Sequence, residues 1–181
     1  VRRLFLVRHA PTNATRSFAF PADEPLDERG ARAAAGLAAA LPKQVAVLCS
    51  PALRCRQTAA AAGLDVTATD SGLKECDFGA WTGQTLEALN AAEPKAVAAW
   101  MGDPEALPHG GESQAAFCTR VGTWLDAQAA LDGSAVAITH GGVVKAAVVH
   151  ALAAPPRAFW QVDVAPLSVT ELHAHDGRWT V

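Results

Sequence analysis

Along this chain the apolar residues fall in short blocks, separated by polar stretches rich in glycine and proline. Leu4-Phe5-Leu6-Val7 is an unbroken apolar run, the pattern of a strand buried on both faces. The run stops at Arg8-His9, and Pro11 forbids further regular pairing. A loop over about 11–27, broken by Pro21 and Pro25, leads to an alanine-rich helix over about 28–41 that ends at Pro42. Residues 45–49 read as a second buried strand. Ser50-Pro51 then supplies an N-cap and first turn for a helix running to about Ala62. That helix carries Arg54 in its opening turn, beside backbone amides that favour an anion.

A short strand over about 64–69 follows Gly63, and residues 70–83 are irregular. Helical spacing returns over 86–92 and 94–101. After a Gly/Pro-rich loop at 102–111, a helix starts at Ser113 and runs to about Ala130. Residues 135–139 form another apolar run ending at His140, then Gly141-Gly142 and a helix over 143–153. The tail, 168–173 and 178–181 around Asp176-Gly177, has the pattern of a hairpin. Strands alternating with helices predict an α/β fold: a three-layer αβα sandwich with a mainly parallel central sheet and a C-terminal hairpin. No repeat or linker divides it, so residues 1–181 read as a single domain.

Composition narrows the classes. A chain of 181 residues can bury about 70% of its unfolded surface. Half the residues are hydrophobic, yet no apolar run has the length of a bilayer span, and the four-residue run near the N-terminus is too short for a secretory signal. A soluble, cytoplasmic protein is expected, with no membrane association. The formal charge of −3 argues against a nucleic-acid surface. Cys49, Cys55, Cys76 and Cys118 form no CxxC pair and have no histidine at finger spacing, which disfavours zinc; a chain this size needs no disulfide framework. None has an arginine six places on, so a cysteine-based phosphatase is disfavoured too.

Three strand ends share a theme: Arg8-His9, the turn leading to Arg54, and His140. Parallel strands of one sheet bring such ends to one edge, where ligands of open α/β sheets bind. Two arginines and two histidines around one point would trap a doubly charged anion, each charge-assisted bond contributing roughly 1.5–3 kcal/mol.

These residues sit in ordered motifs. Leu6-Val7-Arg8-His9, Asp23-Glu24-Pro25-Leu26 with Gly30, the Ser50–Ala59 segment, Leu73-Lys74-Glu75-Cys76-Asp77-Phe78-Gly79, Gly110-Gly111-Glu112-Ser113 and Thr139-His140-Gly141-Gly142 together resemble the histidine phosphatase superfamily, the phosphoglycerate-mutase-like group. The resemblance implies that His9 attacks phosphorus and carries a phosphohistidine. It implies that Arg8, Arg54 and His140 hold the phosphate oxygens and that Glu75 protonates the leaving alkoxide. Thr15 and Gly141 are secondary phosphate contacts by the same resemblance. No cofactor and no metal are implied, because the arginines supply the positive charge. Ala10 stands where the family usually has glycine, and Thr15 where it commonly has asparagine.

Other residues carry weaker signals. Asp77 and Glu112 compete with Glu75 as acids facing the pocket, and Arg56 reads as a surface or structural partner. His173 and His175 alternate on a predicted strand, but two ligands do not complete a metal site. His150, in an apolar helix, reads as structural. Trp81 and Trp100 are packing residues that could also touch an organic leaving group.

Mutase and phosphatase share this chemistry. The stretch 77–119, expected to cover the site as an insertion, carries six acids against Lys95 alone. A bisphosphorylated substrate would need cations there. Glu75 and His140 are also only 65 positions apart, short for a mutase cover. The expectation is a phosphomonoester hydrolase acting on a small metabolite with a largely uncharged remainder; oligomeric state is not legible. The segment 162–169, expected to lie far from the proposed chemistry, is similar to α-ribazole-phosphate phosphatases, making α-ribazole 5′-phosphate a candidate substrate. Phosphoglycerate mutase is the alternative enzyme. A noncatalytic phosphate-binding module is the alternative from another class, though binding alone requires neither His9 nor Glu75.

Overall fold

In the computed structural model, which describes residues 1–181, the first apolar run is the middle of β1 (Arg2–Arg8). β1 pairs in parallel with β4 (Gly133–Thr139) and antiparallel with β5 (Val169–His175). Across β4 lies β2 (Ala46–Cys49), then β3 (Ala68–Thr69), both parallel; β6 (Arg178–Thr180) closes the other edge. The order is β3-β2-β4-β1-β5-β6. Four parallel strands and a C-terminal hairpin make the expected sheet. The hairpin turns at Asp176-Gly177, both at positive φ, which suits the right-handed twist of the strands.

The runs of β1 and β4 are continuous because each strand feeds two cores. Leu4, Leu6, Ala135 and Ala137 face one core, which is covered by α6 (Gln114–Ala129) and α7 (Gly141–Ala151). Phe5, Val7, Val136 and Ile138 face the other, which contains Leu37, Cys55 and Ala59. On that side lie α2 (Glu28–Ala34) and α3 (Leu53–Ala61). Period-2 alternation is thus hidden in the sequence, since both faces are apolar. A third, smaller core of Phe20, Trp81, Leu89 and Val97 lies under α4 (Leu86–Ala92) and α5 (Pro94–Gly102). No helix is long and apolar enough to cross a membrane.

Four boundaries differ from expectation. The loop at 11–27 contains a one-turn helix, α1 (Asn13–Ser17), nucleated by a reciprocal cap between Thr12 and Thr15. The helix expected over 28–41 ends at Ala34. A tighter turn over Leu37–Ala40 follows Gly36, a residue that costs a helix interior about 1 kcal/mol. β3 keeps only two of the expected six residues, because Thr67 pairs with Val47 through its Oγ1 as well as its amide and the preceding residues stay outside the ladder. Ser50 is not an N-cap. α3 starts at Leu53, whose amide is capped by Asp23 Oδ1 at 2.7 Å, and Ser50 is drawn into the site instead.

Candidate active site

Register brings the strand ends together. Arg8 lies opposite Thr139 and Cys49 opposite Ile138, and the next amides, those of His9 and Ser50, bond to the carbonyls of Thr139 and Ile138 at 2.8 and 2.9 Å. β1, β4 and β2 therefore stop at one level, and His9, His140 and Ser50 emerge side by side. The two imidazoles meet edge to face, with centroids 5.3 Å apart.

His9 is 6% exposed and its ring is fixed by two bonds. Nδ1 lies 2.7 Å from the Ala10 carbonyl, so Nδ1 carries the hydrogen and donates it. Nε2 is left with its lone pair, towards which Arg54 Nε–H points at 3.2 Å. Burial first, and then the Arg54 charge, lowers the His9 pKa to about 3, against an opposing contribution from the Ala10 bond. The ring is a neutral imidazole whose Nε2 lone pair accepts from Arg54, a bond that must open before Nε2 can attack. Ala10 fits without strain: its side chain is fully buried and its amide is taken by Thr58 Oγ1 at 3.0 Å.

Arg54, 4% exposed in the first turn of α3, also reaches the Ala22 carbonyl at 2.8 Å and His140 Nδ1 at 3.0 Å. Three of its five N–H groups are spent, which leaves two for a ligand. Because His140 Nδ1 accepts from Arg54, its Nε2 carries the hydrogen and donates to Ser50 Oγ at 2.8 Å. Burial and the neighbouring Arg54 hold His140 neutral, well below its ordinary pKa. His140 joins the cluster: it is fully buried, both its ring nitrogens are engaged, and it lines a second cavity shared with Arg54 and Glu75 and not the first.

Arg8 also lines the cavity, its Nη1 donating to the Val164 carbonyl at 2.5 Å and its Nε buried without a partner. The segment 162–169, expected to lie far from the chemistry, is instead brought to the site through this bond. Glu75 faces Arg8 and Arg54 from the loop after Leu73. Its Oε1 accepts from the Cys76 amide at 3.0 Å and its Oε2 from the Gly142 amide at 3.3 Å, in the first turn of α7. Burial raises its pKa despite these donors and the two arginines, so the carboxyl retains its proton into a higher pH range. The glycines after His140 make the approach possible. A Cβ on Gly142 would lie 2.2 Å from Glu75 Oε1, and one on Gly141 would lie 3.2 Å from Arg8 Nε.

Arg8, His9, Thr15, Arg54, Glu75 and Gly141 line one cavity of about 240 Å³. Thr15 reaches it while its hydroxyl also caps α1. Glu112 does not line it. It is bound by Arg120 at 2.8 and 3.0 Å, and Arg120 also holds the carbonyls of Gly72, Lys74 and Glu75, tying down the loop that carries Glu75. Nor do the other acids of the stretch 77–119 line the cavity, so they do not set its charge. Trp81 is core and Trp100 is wall. Arg56 is exposed, His150 pairs with Asp126 at 2.8 Å, and His173 and His175 pair with Glu171 and Asp176.

Sequence reasoning missed Gln114 and Lys145, which line the cavity, and placed Glu24 within a motif without assigning it to the cavity. Lys145 carried a signal, being the one charge in an otherwise apolar helix four residues after Gly141. The chemistry available is that of a neutral imidazole nitrogen beside two guanidinium groups, facing a carboxyl whose proton is held to higher pH than usual by burial.

Residues 4–181 match the histidine phosphatase superfamily (branch 1). A glucosyl-3-phosphoglycerate phosphatase of Mycolicibacterium vanbaalenii is 33% identical over 178 residues, covering 90% of this chain and 79% of that protein. Other mycobacterial relatives are 33% identical over 99% of this chain, which spans only 52% of their length. Among solved structures, a mycobacterial glucosyl-3-phosphoglycerate phosphatase in complex with VO3 is similar at a TM-score of 0.83 and 29% identity, covering 99% of this chain and 96% of the other. The α-ribazole phosphatase of Shigella flexneri is similar at 0.84 and 25%, covering 99% and 94%. With its match running from the first strand to the last residue, this chain belongs to the histidine phosphatase superfamily.

Proposed function

We propose that the chain is a phosphomonoester hydrolase that works through a phosphohistidine on His9 and needs no metal. The observation that carries this reading is the tautomer of His9: the Nδ1–H to Ala10 bond leaves Nε2 unprotonated beside Arg54 in a cavity shared with Arg8 and Glu75. Phosphate oxygens bind the free N–H groups of Arg54 and Arg8. These are fixed charges that need no reorganisation as the phosphoryl group moves. His9 Nε2 attacks phosphorus as the ester P–O bond breaks, and Glu75 gives its proton to the departing alkoxide, a step worth roughly 10²–10⁴ in rate. Glu75, now a carboxylate, takes a proton from water. That water cleaves the P–N bond, releasing phosphate and restoring the imidazole. His140 keeps Arg54 in place throughout, and Thr15 and Gly141 border the phosphate.

The substrate class is a small phosphorylated metabolite, supported by the relatives named for glucosyl-3-phosphoglycerate and by the neighbour named for α-ribazole phosphate. Rapid acid-free quenching with ³²P-labelled substrate tests the route. Label stable to base and labile to acid is expected on His9, with turnover continuing in the presence of a chelator. Turnover with no label on His9 would sink the covalent mechanism.

A further inference from the structure

Glu75 reaches the cavity from a stretch with no regular secondary structure of its own. One tight turn ends at Leu73, another begins at Gly79, and residues 74–78 between them belong to no strand. Backbone groups outside helices and sheets still need partners, and the carbonyls of Gly72, Lys74 and Glu75 find theirs in one side chain. Arg120, partly buried on α6, donates Nη1–H to Gly72 at 3.1 Å and Nη2–H to Lys74 and Glu75 at 3.1 and 3.3 Å. The carbonyl of Leu73 accepts from the Thr139 hydroxyl at 2.8 Å. The guanidinium is itself aimed by Glu112, which accepts from Nε at 2.8 Å and from Nη2 at 3.0 Å, a two-pronged pairing that suits its planar fork. It lies over the ring of Phe117, 5.1 Å from the centroid, and Phe117 lines the cavity.

We infer that Arg120 is a positioning residue for proton transfer: backed by Glu112, it fixes the backbone of Glu75 so that the carboxyl faces the leaving oxygen. This rests on the phosphatase reading for Glu75 as the donor and adds what keeps that donor aimed. Arg120 does not line the cavity; it acts through the carbonyls of Lys74 and Glu75. The two bonds on the carboxyl itself come from the Cys76 and Gly142 amides. The first belongs to the same stretch and moves with it, so it cannot anchor Glu75 to the rest of the molecule. Without Arg120, water can reach the exposed Lys74 and its half-buried neighbours and satisfy their carbonyls, but it fixes nothing in place. A displacement of about 1 Å at a reacting group costs on the order of 10² in rate. Glu112, which competes with Glu75 as an acid in the sequence, thus supports the donor instead of replacing it.

Initial burst rates on an alkyl phosphate and on p-nitrophenyl phosphate test this. Arg120→Met is expected to slow phosphorylation of His9 by the alkyl ester about 10²-fold, and by p-nitrophenyl phosphate, whose leaving group needs no proton, by less than about threefold. Arg120→Lys, which keeps a charge but loses the fork, should recover part of the loss. In a Glu75→Gln background Arg120→Met should cost the alkyl ester nothing further, because the proton it positions is gone. Equal slowing of both esters by Arg120→Met, or its full cost persisting beside Glu75→Gln, overturns the inference. If Arg120→Met does not fold, Glu112→Gln, which deprives the guanidinium of its charged partner, is judged by the same two comparisons. Hydrogen exchange of amides 74–78 separates the inference from the reading beneath it. Faster exchange in Arg120→Met, with equal slowing of both esters by Glu75→Gln, removes Glu75 as donor and keeps Arg120 as the anchor of its backbone. Unchanged exchange, with selective slowing by Glu75→Gln, keeps the donor and removes the anchor.

Discussion

Gly142 and Glu75 claim the same space: the Gly142 amide donates to Glu75 Oε2 at 3.3 Å, and a side chain on residue 142 would begin 2.2 Å from Oε1. The carboxyl is held by a backbone that can approach it only without a Cβ. Gly142→Ala should therefore displace Glu75 without unfolding the chain. Activity towards alkyl phosphates is expected to fall by about 10²–10⁴, the contribution of a general acid, with the circular dichroism spectrum unchanged. Full activity in this variant would mean that the proton comes from elsewhere.

Glu75→Gln removes the proton and keeps the shape. An alkoxide is a poor leaving group, whereas a nitrophenolate departs without protonation. The substitution is expected to slow phosphorylation of His9 by alkyl esters at least about 10²-fold more than by p-nitrophenyl phosphate, measured as the initial burst. Equal slowing of both would reject Glu75 as the donor.

The pH profile follows from the two shifts. His9, held to about 3 by burial and by Arg54, is unprotonated and able to attack throughout the range above that value. Glu75 is shifted upward by burial, so it remains a donor above the ordinary carboxylate range and is lost only as the pH rises through its raised value. For an alkyl ester, kcat/KM corrected for the ester's own ionisation should show an alkaline fall set by Glu75 and no acid fall from His9 until about pH 3. Glu75→Gln should remove the alkaline fall. A profile that drops below pH 6.5 in the wild type, with a group titrating on His9 by NMR, would contradict the neutral buried ring.

Ser50 is a stability prediction. Its Oγ is the partner of His140 Nε2–H at zero exposure of both residues, so Ser50→Ala strands a buried donor. The expected cost is about 1–3 kcal/mol in urea unfolding, together with weaker phosphate affinity as Arg54 loses its backing. An unchanged midpoint would show that His140 finds another acceptor.

What the sequence made legible were features in which local pattern and function coincide. Apolar runs that end in Arg8-His9 and in His140 announce both a strand and its rim, and Arg54 is placed by the turn before its helix. Glu75 lies in an irregular stretch, and only the likeness to a family singles it out. Groups brought in from other layers escaped notice: the Val164 carbonyl on Arg8, Arg120 clamping the loop of Glu75, and Gln114 in the cavity. The first two pairings span 156 and 45 residues, and no local periodicity records such pairings. Ser50 misled for a related reason. Its hydroxyl suits a helix cap, but a buried imidazole needs it more.

The position of β1 between β4 and β5 has a consequence for synthesis of the chain. Both neighbours of β1 lie in the last third of residues 1–181, so once Leu4–Val7 leaves the ribosome it must wait roughly 130 residues for a pairing partner. At ordinary elongation rates that interval is on the order of ten seconds, during which the segment Leu4–Val7 is available to chaperones and to other nascent chains. Translation speed, and not only the finished fold, then governs how much of this protein escapes aggregation.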